Sequence, residues 1–210
     1  MEYHALCPFS RDWLIPWWLR ELPAMKVVWH PITEKPYDWP KVHWIQPFVY
    51  DRTGARNVPL WAMNKWVDGW QGKFVEDDYY FTLADDDWLE PGFIDKISGI
   101  NTDFIVVSAA RGQHQVSSYP TWPLIAMPEH MNIGQITGSQ LISKGRVMKL
   151  ARWTQENVCG DGRYIMDQWS KYPHESFTFL PDVWERFNFM EPGRYDEAVP
   201  IIRELKGVAA

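Results

Sequence analysis

Short apolar runs alternate with amphipathic stretches along the first hundred residues. Residues 3–9 form an apolar run ending near Pro8 and predict a strand. Ser10 or Asp12 then caps a predicted helix through Leu22, with Trp13, Leu14, Trp17, Trp18 and Glu21 supplying a mostly apolar surface. Pro16 falls in its first turn, where proline is tolerated, and Pro23 is the expected stop. Residues 26–32 predict a second strand. This β-α-β order implies parallel strands joined by a right-handed crossover. Residues 42–49 predict a third strand, and 50–57 a loop turning at Gly54. Over 58–69 a helix is expected, with Leu60, Met63, Val67 and Trp70 near one face. The run 79–83 is a β-rich central strand, 93–97 a helical segment and 103–108 another strong strand.

The second half is less regular. Residues 109–132 form a long stretch rich in Pro, Ser, His and Trp, and a loop of that length in a compact domain is usually functional. Residues 133–143 predict a strand bent at Gly138, 144–156 a helix, 163–170 a further helix with Asp161 at or near its N-cap, and 177–180 a late short strand. A short final helix is expected at 201–205. The alternation gives an α/β sandwich around a mainly parallel sheet, in a single domain.

Composition supports this reading. The chain has 210 residues, with 46% hydrophobic and 23% charged, which is enough for one sizeable core. A net charge of −6 argues against general nucleic-acid or anionic-membrane binding, since both need a basic face. Cys7 and Cys159 have no metal-ligand spacing, and Cys7 in a buried strand reads as an inert core thiol. The N-terminus shows no signal-peptide pattern and no run is long enough for a transmembrane helix, so a cytoplasmic location is expected. Tryptophan is abundant at 14 residues; most should fill the core, and a few in loops are candidates for stacking on sugars or bases.

The candidate chemistry lies where the central strand ends. Asp85, Asp86 and Asp87 follow it directly, before Trp88-Leu89-Glu90-Pro91-Gly92. Adjacent carboxylates at the end of a buried strand repel one another unless a cation sits among them, and a divalent ion is the simplest answer. Ligands of open α/β sheets sit outside the carboxyl ends of strands, so this is a candidate metal–phosphate site. The alternative is a solvated turn in which one aspartate caps the next helix.

The segment Gly54-Ala55-Arg56-Asn57, followed by a helix and then by Asp85-Asp86-Asp87-Trp88-Leu89-Glu90-Pro91, resembles the family-two group of GT-A glycosyltransferases. That resemblance implies a GT-A (Rossmann-like) α/β/α sandwich, with residues 1–100 as the nucleotide-sugar and metal half, 101–190 as the acceptor half and 191–210 as a tail. It implies transfer of a sugar from a nucleotide diphosphate donor, UDP-sugars being favoured, to a glycan or other hydroxyl acceptor. It also implies Mn²⁺ or Mg²⁺ as cofactor, held by Asp87 and Asp85. Asp85 or Asp86 would face the ribose or the metal. Pro8, Ser10, Arg11, Glu34, Arg56 and Asn57 would line the nucleotide side. Asp161 would be the general base of an inverting transfer, with Asp167 the second choice. Relatives often supply a late histidine to the metal; here His174 precedes the late strand, and Asp182, Glu185 or water could replace it. Arg111, His114, Trp122, Gln135 and Trp88 are candidate acceptor contacts.

Taken from the residues alone, Asn57 and Asp161 are also plain helix caps, and Arg56 and Glu34 plain surface charges. Two other functions compete. A sugar nucleotidyltransferase shares the sheet and the aspartate-bound metal, but would carry a glycine-rich basic loop where this chain has CPFSRDW. A non-catalytic carbohydrate-binding domain would suit the tryptophans, yet needs no row of three carboxylates.

Overall fold

The structure is a computed structural model describing residues 1–111, 123–132, 135–154 and 160–187. His114, Trp122, Cys159 and the expected helix at 201–205 lie outside the described residues. Among the described residues, eight strands form one curled, mostly parallel sheet. They are β1 (Tyr3–Pro8), β2 (Val28–Thr33), β3 (Phe48–Val49), β4 (Tyr79–Thr82), β5 (Trp88–Leu89), β6 (Phe104–Arg111), β7 (Leu141–Lys144) and β8 (Phe177–Phe187). Their order in the sheet is β3-β2-β1-β4-β7-β6-β8-β5. β1 pairs in parallel with both β2 and β4, while β7 runs antiparallel between β4 and β6.

Helices cover both faces. On one, α1 (Ile15–Met25) and α3 (Phe93–Ile97) pack over Ala5, Cys7, Trp29 and Phe81. On the other, α2 (Val58–Gly69), α4 (Gly145–Met148) and α5 (Gly160–Lys171) pack over Leu6, Tyr80, Phe104 and Val106. The alternation of Ala5, Leu6 and Cys7 between two cores is the two-residue period of a strand buried on both faces. Tryptophans are mainly structural: Trp17, Trp18, Trp29 and Trp88 are buried together in the first core, with Trp18 stacked on Trp29 at 5.3 Å.

Several expectations are corrected. Pro23 does not stop α1, which runs to Met25 and ends at Lys26 in the left-handed conformation. An exposed proline in the last turn forfeits one hydrogen bond but leaves the helix's buried face, Trp17, Trp18, Leu22 and Met25, in place. The third strand shrinks to Phe48–Val49 plus a bridge from Ile45 to Trp29, because Pro47 interrupts a ladder at the sheet edge. Within 135–143, where a strand is expected, the chain forms a 3₁₀ turn at Gly138–Gln140 followed by β7, and among the described residues 144–154 of the expected helix only the four of α4 are α-helical. The late strand does not end at Leu180. β8 steps out after it, with Leu180 opposite Val107 but Trp184 opposite Ser108, and resumes to Phe187. Ser108 Oγ holds the excursion by donating to the Pro181 carbonyl at 2.8 Å.

Gly145 sits where β7 passes into α4. A Cβ there would overlap the Val75 carbonyl oxygen and lie 3.0 Å from Tyr80 Cε2. Gly145→Ala should lose about 1–3 kcal/mol of stability, the usual cost of overpacking against fixed backbone. Urea unfolding tests this, and an unchanged midpoint would show that the contact yields freely.

Candidate active site at the switch point of the sheet

From β1 the strand order runs outward through β2 and β3 on one side and through β4 on the other. The crevice outside the carboxyl ends of β1 and β4 is therefore the switch point at which open α/β sheets bind ligands. A cleft of about 300 Å³ lies there. Pro8 lines it from the end of β1, Thr82, Ala84 and Asp87 from the end of β4, Asn57 from the start of α2, and Asp161 from the start of α5.

The three aspartates play different parts. Asp85 is buried and held by four donors: its Oδ2 accepts from the backbone N–H groups of Ser10 (2.7 Å) and Arg11 (2.8 Å) and from the Ser10 hydroxyl (3.2 Å), and its Oδ1 from the Arg11 guanidinium. Oδ2 is fully engaged, so Asp85 acts as a strut between β1 and β4, whereas the metal or ribose contact expected of it would need the remaining lone pair of Oδ1. Asp86 is also buried, with Arg11 Nη2 at 3.1 Å. Burial works against the Arg11 charge, but Asp85 and Asp86 outweigh it and raise its pKa above the ordinary value. Asp87 is 1% exposed as a residue, yet it reaches the cleft, and its carboxylate accepts from the Ala84 N–H at 3.1 Å.

A fourth carboxyl joins this cluster. Glu185 is buried in the resumed part of β8, where it pairs in register with Leu89. It looks toward Asp87 and Ser139, but neither of its oxygens completes a hydrogen bond among the described residues. Burial first, and then the charge of Asp87, pushes its carboxyl well above the ordinary range. An orphaned buried carboxylate beside another is costly without a cation, so the donor set fits a hard divalent ion. In the sequence Glu185 stands only among the substitutes for the late histidine, with Asp182 and water, because it lies beyond the strand expected over 177–180.

Asp161 does not cap α5 from outside but occupies its first turn. Its Oδ1 accepts from the Gly162 N–H at 2.8 Å and its Oδ2 from the Gly138 N–H at 3.1 Å. A Cβ at Gly138 would lie 3.1 Å from Asp161 Cβ, a tight contact that glycine avoids. The turn carrying Gly138 is itself fixed by reciprocal Thr137–Gln140 capping and by Thr82 Oγ1 donating to the Gly138 carbonyl at 2.8 Å.

Other expected residues scatter. Asn57 caps α2, accepting from the Leu60 N–H at 3.3 Å, while also lining the cleft. Arg56 is exposed and absent from the cleft lining. Glu34 is exposed, with Arg52 at 3.4 Å and the Tyr50 hydroxyl at 3.3 Å. Asp167 faces solvent, paired with Lys171 at 3.2 Å. His174 is exposed and stacks on Trp169 at 3.8 Å, and Asp182 is exposed in the β8 excursion. Gln135 is exposed. Trp88 is a correction: it is buried against Trp17 at 5.1 Å and offers no face to an acceptor.

No protein-family model and no curated protein matches the chain in sequence. Solved structures do match its fold. A crystal structure of S. aureus TarS 1-349 superimposes with a TM-score of 0.60 at 12% identity, covering 98% of this chain and 65% of that one. TarS 1-349 in complex with UDP-GlcNAc gives 0.59 at 10% identity, covering 98% and 66%. This chain thus spans just under two thirds of those TarS chains. A 4-diphosphocytidyl-2C-methyl-D-erythritol synthase gives 0.51 at 10% identity, covering 98% of this chain and 99% of that one. The chain therefore has a GT-A-like α/β fold.

Proposed function

We propose that the chain is a metal-dependent glycosyltransferase that moves a sugar from a nucleotide diphosphate donor to an acceptor hydroxyl with inversion. The observation that carries this reading is the cleft at the switch point, which Asp87 lines from the end of β4 and Asp161 from the start of α5. The fold likeness to TarS, one of whose structures holds UDP-GlcNAc, supports a UDP-sugar as the first donor to test.

Asp87 and Glu185 would hold Mn²⁺ or Mg²⁺, whose positive charge stabilises a departing diphosphate. Pro8 and Asn57 would flank the nucleotide, with Arg11 and Asp86 behind them. Residues 1–100 supply this donor side, and 101–190 the acceptor side. Asp161 takes the proton of the acceptor hydroxyl. The Gly138 and Gly162 N–H groups aim its carboxylate, which keeps unused lone pairs for that proton. Nucleotidyl transfer is the second reading, favoured by the end-to-end likeness to the cytidylyl-type synthase fold. Release of nucleoside diphosphate from a sugar nucleotide supports the first reading; release of pyrophosphate from a nucleoside triphosphate supports the second.

Thermal unfolding with UDP-GlcNAc and Mn²⁺ should show stabilisation, about 2.7 kcal/mol at roughly 100 times the dissociation constant. EDTA or Asp87→Asn should abolish it, and no shift with any nucleotide sugar would sink the reading. Asp161→Asn should lower kcat by about 10²–10⁴-fold while leaving donor affinity nearly unchanged, as measured by steady-state kinetics and calorimetry. Wild-type turnover in that variant would remove Asp161 from the role.

Glu185 makes a pH-dependent prediction for the metal-free protein. Its native pKa lies above the unfolded value of about 4.3, so the folded chain binds the proton more tightly. Relative stability is then full below that value and falls as pH rises through the native pKa. In EDTA, Glu185→Gln should have a higher urea midpoint than wild type at pH near 8, with the gap closing toward pH near 4. A gap independent of pH would show that Glu185 is not the group responsible.

A further inference from the structure

The opposite end of the same two strands carries a second cluster that the proposed transfer does not use. Glu2, His4 and Asp78 each present one donor atom, and all three atoms lie within 4.8 Å of one another. Tyr3 pairs with Tyr79 and Leu6 with Thr82, so the cluster lies where β1 and β4 begin and the cleft lies where they end. The separation is about four residues, roughly 13 Å along the strands.

Two of the three donors are buried and held in place. His4 is 5% exposed, and its Nδ1 lies 3.0 Å from Nε2 of the buried His30, which fixes the plane of the ring. The ring also stacks on Tyr80 at 4.4 Å. Asp78 is 5% exposed; its Oδ1 accepts from the Glu2 N–H at 2.7 Å and lies 3.8 Å from the chain's amino group. That leaves Asp78 Oδ2 directed at His4.

His4 Nε2 is the remaining atom. It is buried and makes no hydrogen bond among the described residues, although Asp78 Oδ2 stands 3.5 Å away and Glu2 Oε2 3.9 Å away. Those separations are long for a hydrogen bond. They match two ligands of one ion, because donors bound at about 2.0–2.2 Å in a tetrahedron lie about 3.4 Å apart. A partner on the far ring nitrogen is the usual support of a metal-bound histidine, and His30 stands there.

We propose that Glu2, His4 and Asp78 bind one Zn²⁺-type cation that clasps the start of β1 to the start of β4. A nitrogen with two carboxylate oxygens suits a borderline divalent ion, and solvent at the exposed Glu2 side completes four-coordination. His4 binds through Nε2 as the neutral ring, with its Nδ1 proton directed to His30 Nε2. The role is structural: the ion ties the N-terminal segment to the strand that delivers Asp87.

The test uses the full chain, stripped of metal and titrated with ZnCl₂. The readouts are Zn²⁺ bound per chain, thermal midpoint and the ¹⁵N resonances of the histidine rings. Wild type should bind one equivalent at this site, with a rise in midpoint and a displaced His4 Nε2 signal. Glu2→Gln alters a largely exposed side chain, so folding is retained, and Zn²⁺ binding should weaken about tenfold or more. Asp78→Asn should lose the equivalent. The double variant Asp87→Asn/Glu185→Gln should keep it, which separates this site from the cleft. Wild-type Zn²⁺ affinity in Glu2→Gln, loss of the equivalent only in the double variant, or an unmoved His4 Nε2 signal would each overturn the proposal.

Discussion

The anchor of this molecule is the buried carboxylate of Asp85. Two backbone N–H groups, one hydroxyl and one guanidinium converge on it from Ser10 and Arg11, and the backbone carbonyl of the same residue takes the Trp18 indole N–H at 2.9 Å. The end of β1, the approach to α1 and the end of β4 are therefore joined at one buried point. A charge there is tolerable only because these donors partner it. With Asp85 spent on structure and Asp86 facing Arg11, Asp87 is left to reach the cleft.

The same cluster carries an imbalance. Four carboxyls, those of Asp85, Asp86, Asp87 and Glu185, meet around the end of β4, and Arg11 answers the first two. Among the described residues Glu185 finds no hydrogen-bond partner while buried beside Asp87. Folded proteins keep such a group where function requires it, and a cation brought by a diphosphate ligand would relieve it. The aromatic core is what makes the arrangement rigid. Trp17, Trp18, Trp29 and Trp88 pack behind the cluster and leave the carboxylates little room to relax.

Much of this was legible from residues in chain order. Short apolar and β-rich runs marked β1, β2, β4 and β6; Asn57, read as a helix cap, marked the start of α2 to the residue; and the acidic triplet after a β-rich run pointed to the cleft. The failures share a cause. β3, β7 and α4 are short segments whose form is set by what lies beside them, and local pattern is weak over four residues or fewer. Trp88 looked like a ligand platform because a tryptophan after an acidic motif is chemically plausible, but in the fold its neighbour is Trp17.

By itself the sequence determined the alternating α/β architecture, the two-sided burial of the central strands and the concentration of charge where β4 ends, because these follow from periodicity and from adjacent residues. Tertiary structure alone decided how that charge is divided. Asp85 became a strut because Ser10 and Arg11, some 75 residues earlier, arrive with their N–H groups pointing at it. Glu185 became a member of the site because β8 steps around Pro181 and rejoins the sheet beside β5. Asp161 lines the same cleft as Asp87 because the turn at Gly138 comes close enough to donate its N–H to the Asp161 carboxylate. Each of these depends on the direction of a donor or acceptor in space, which no local pattern encodes.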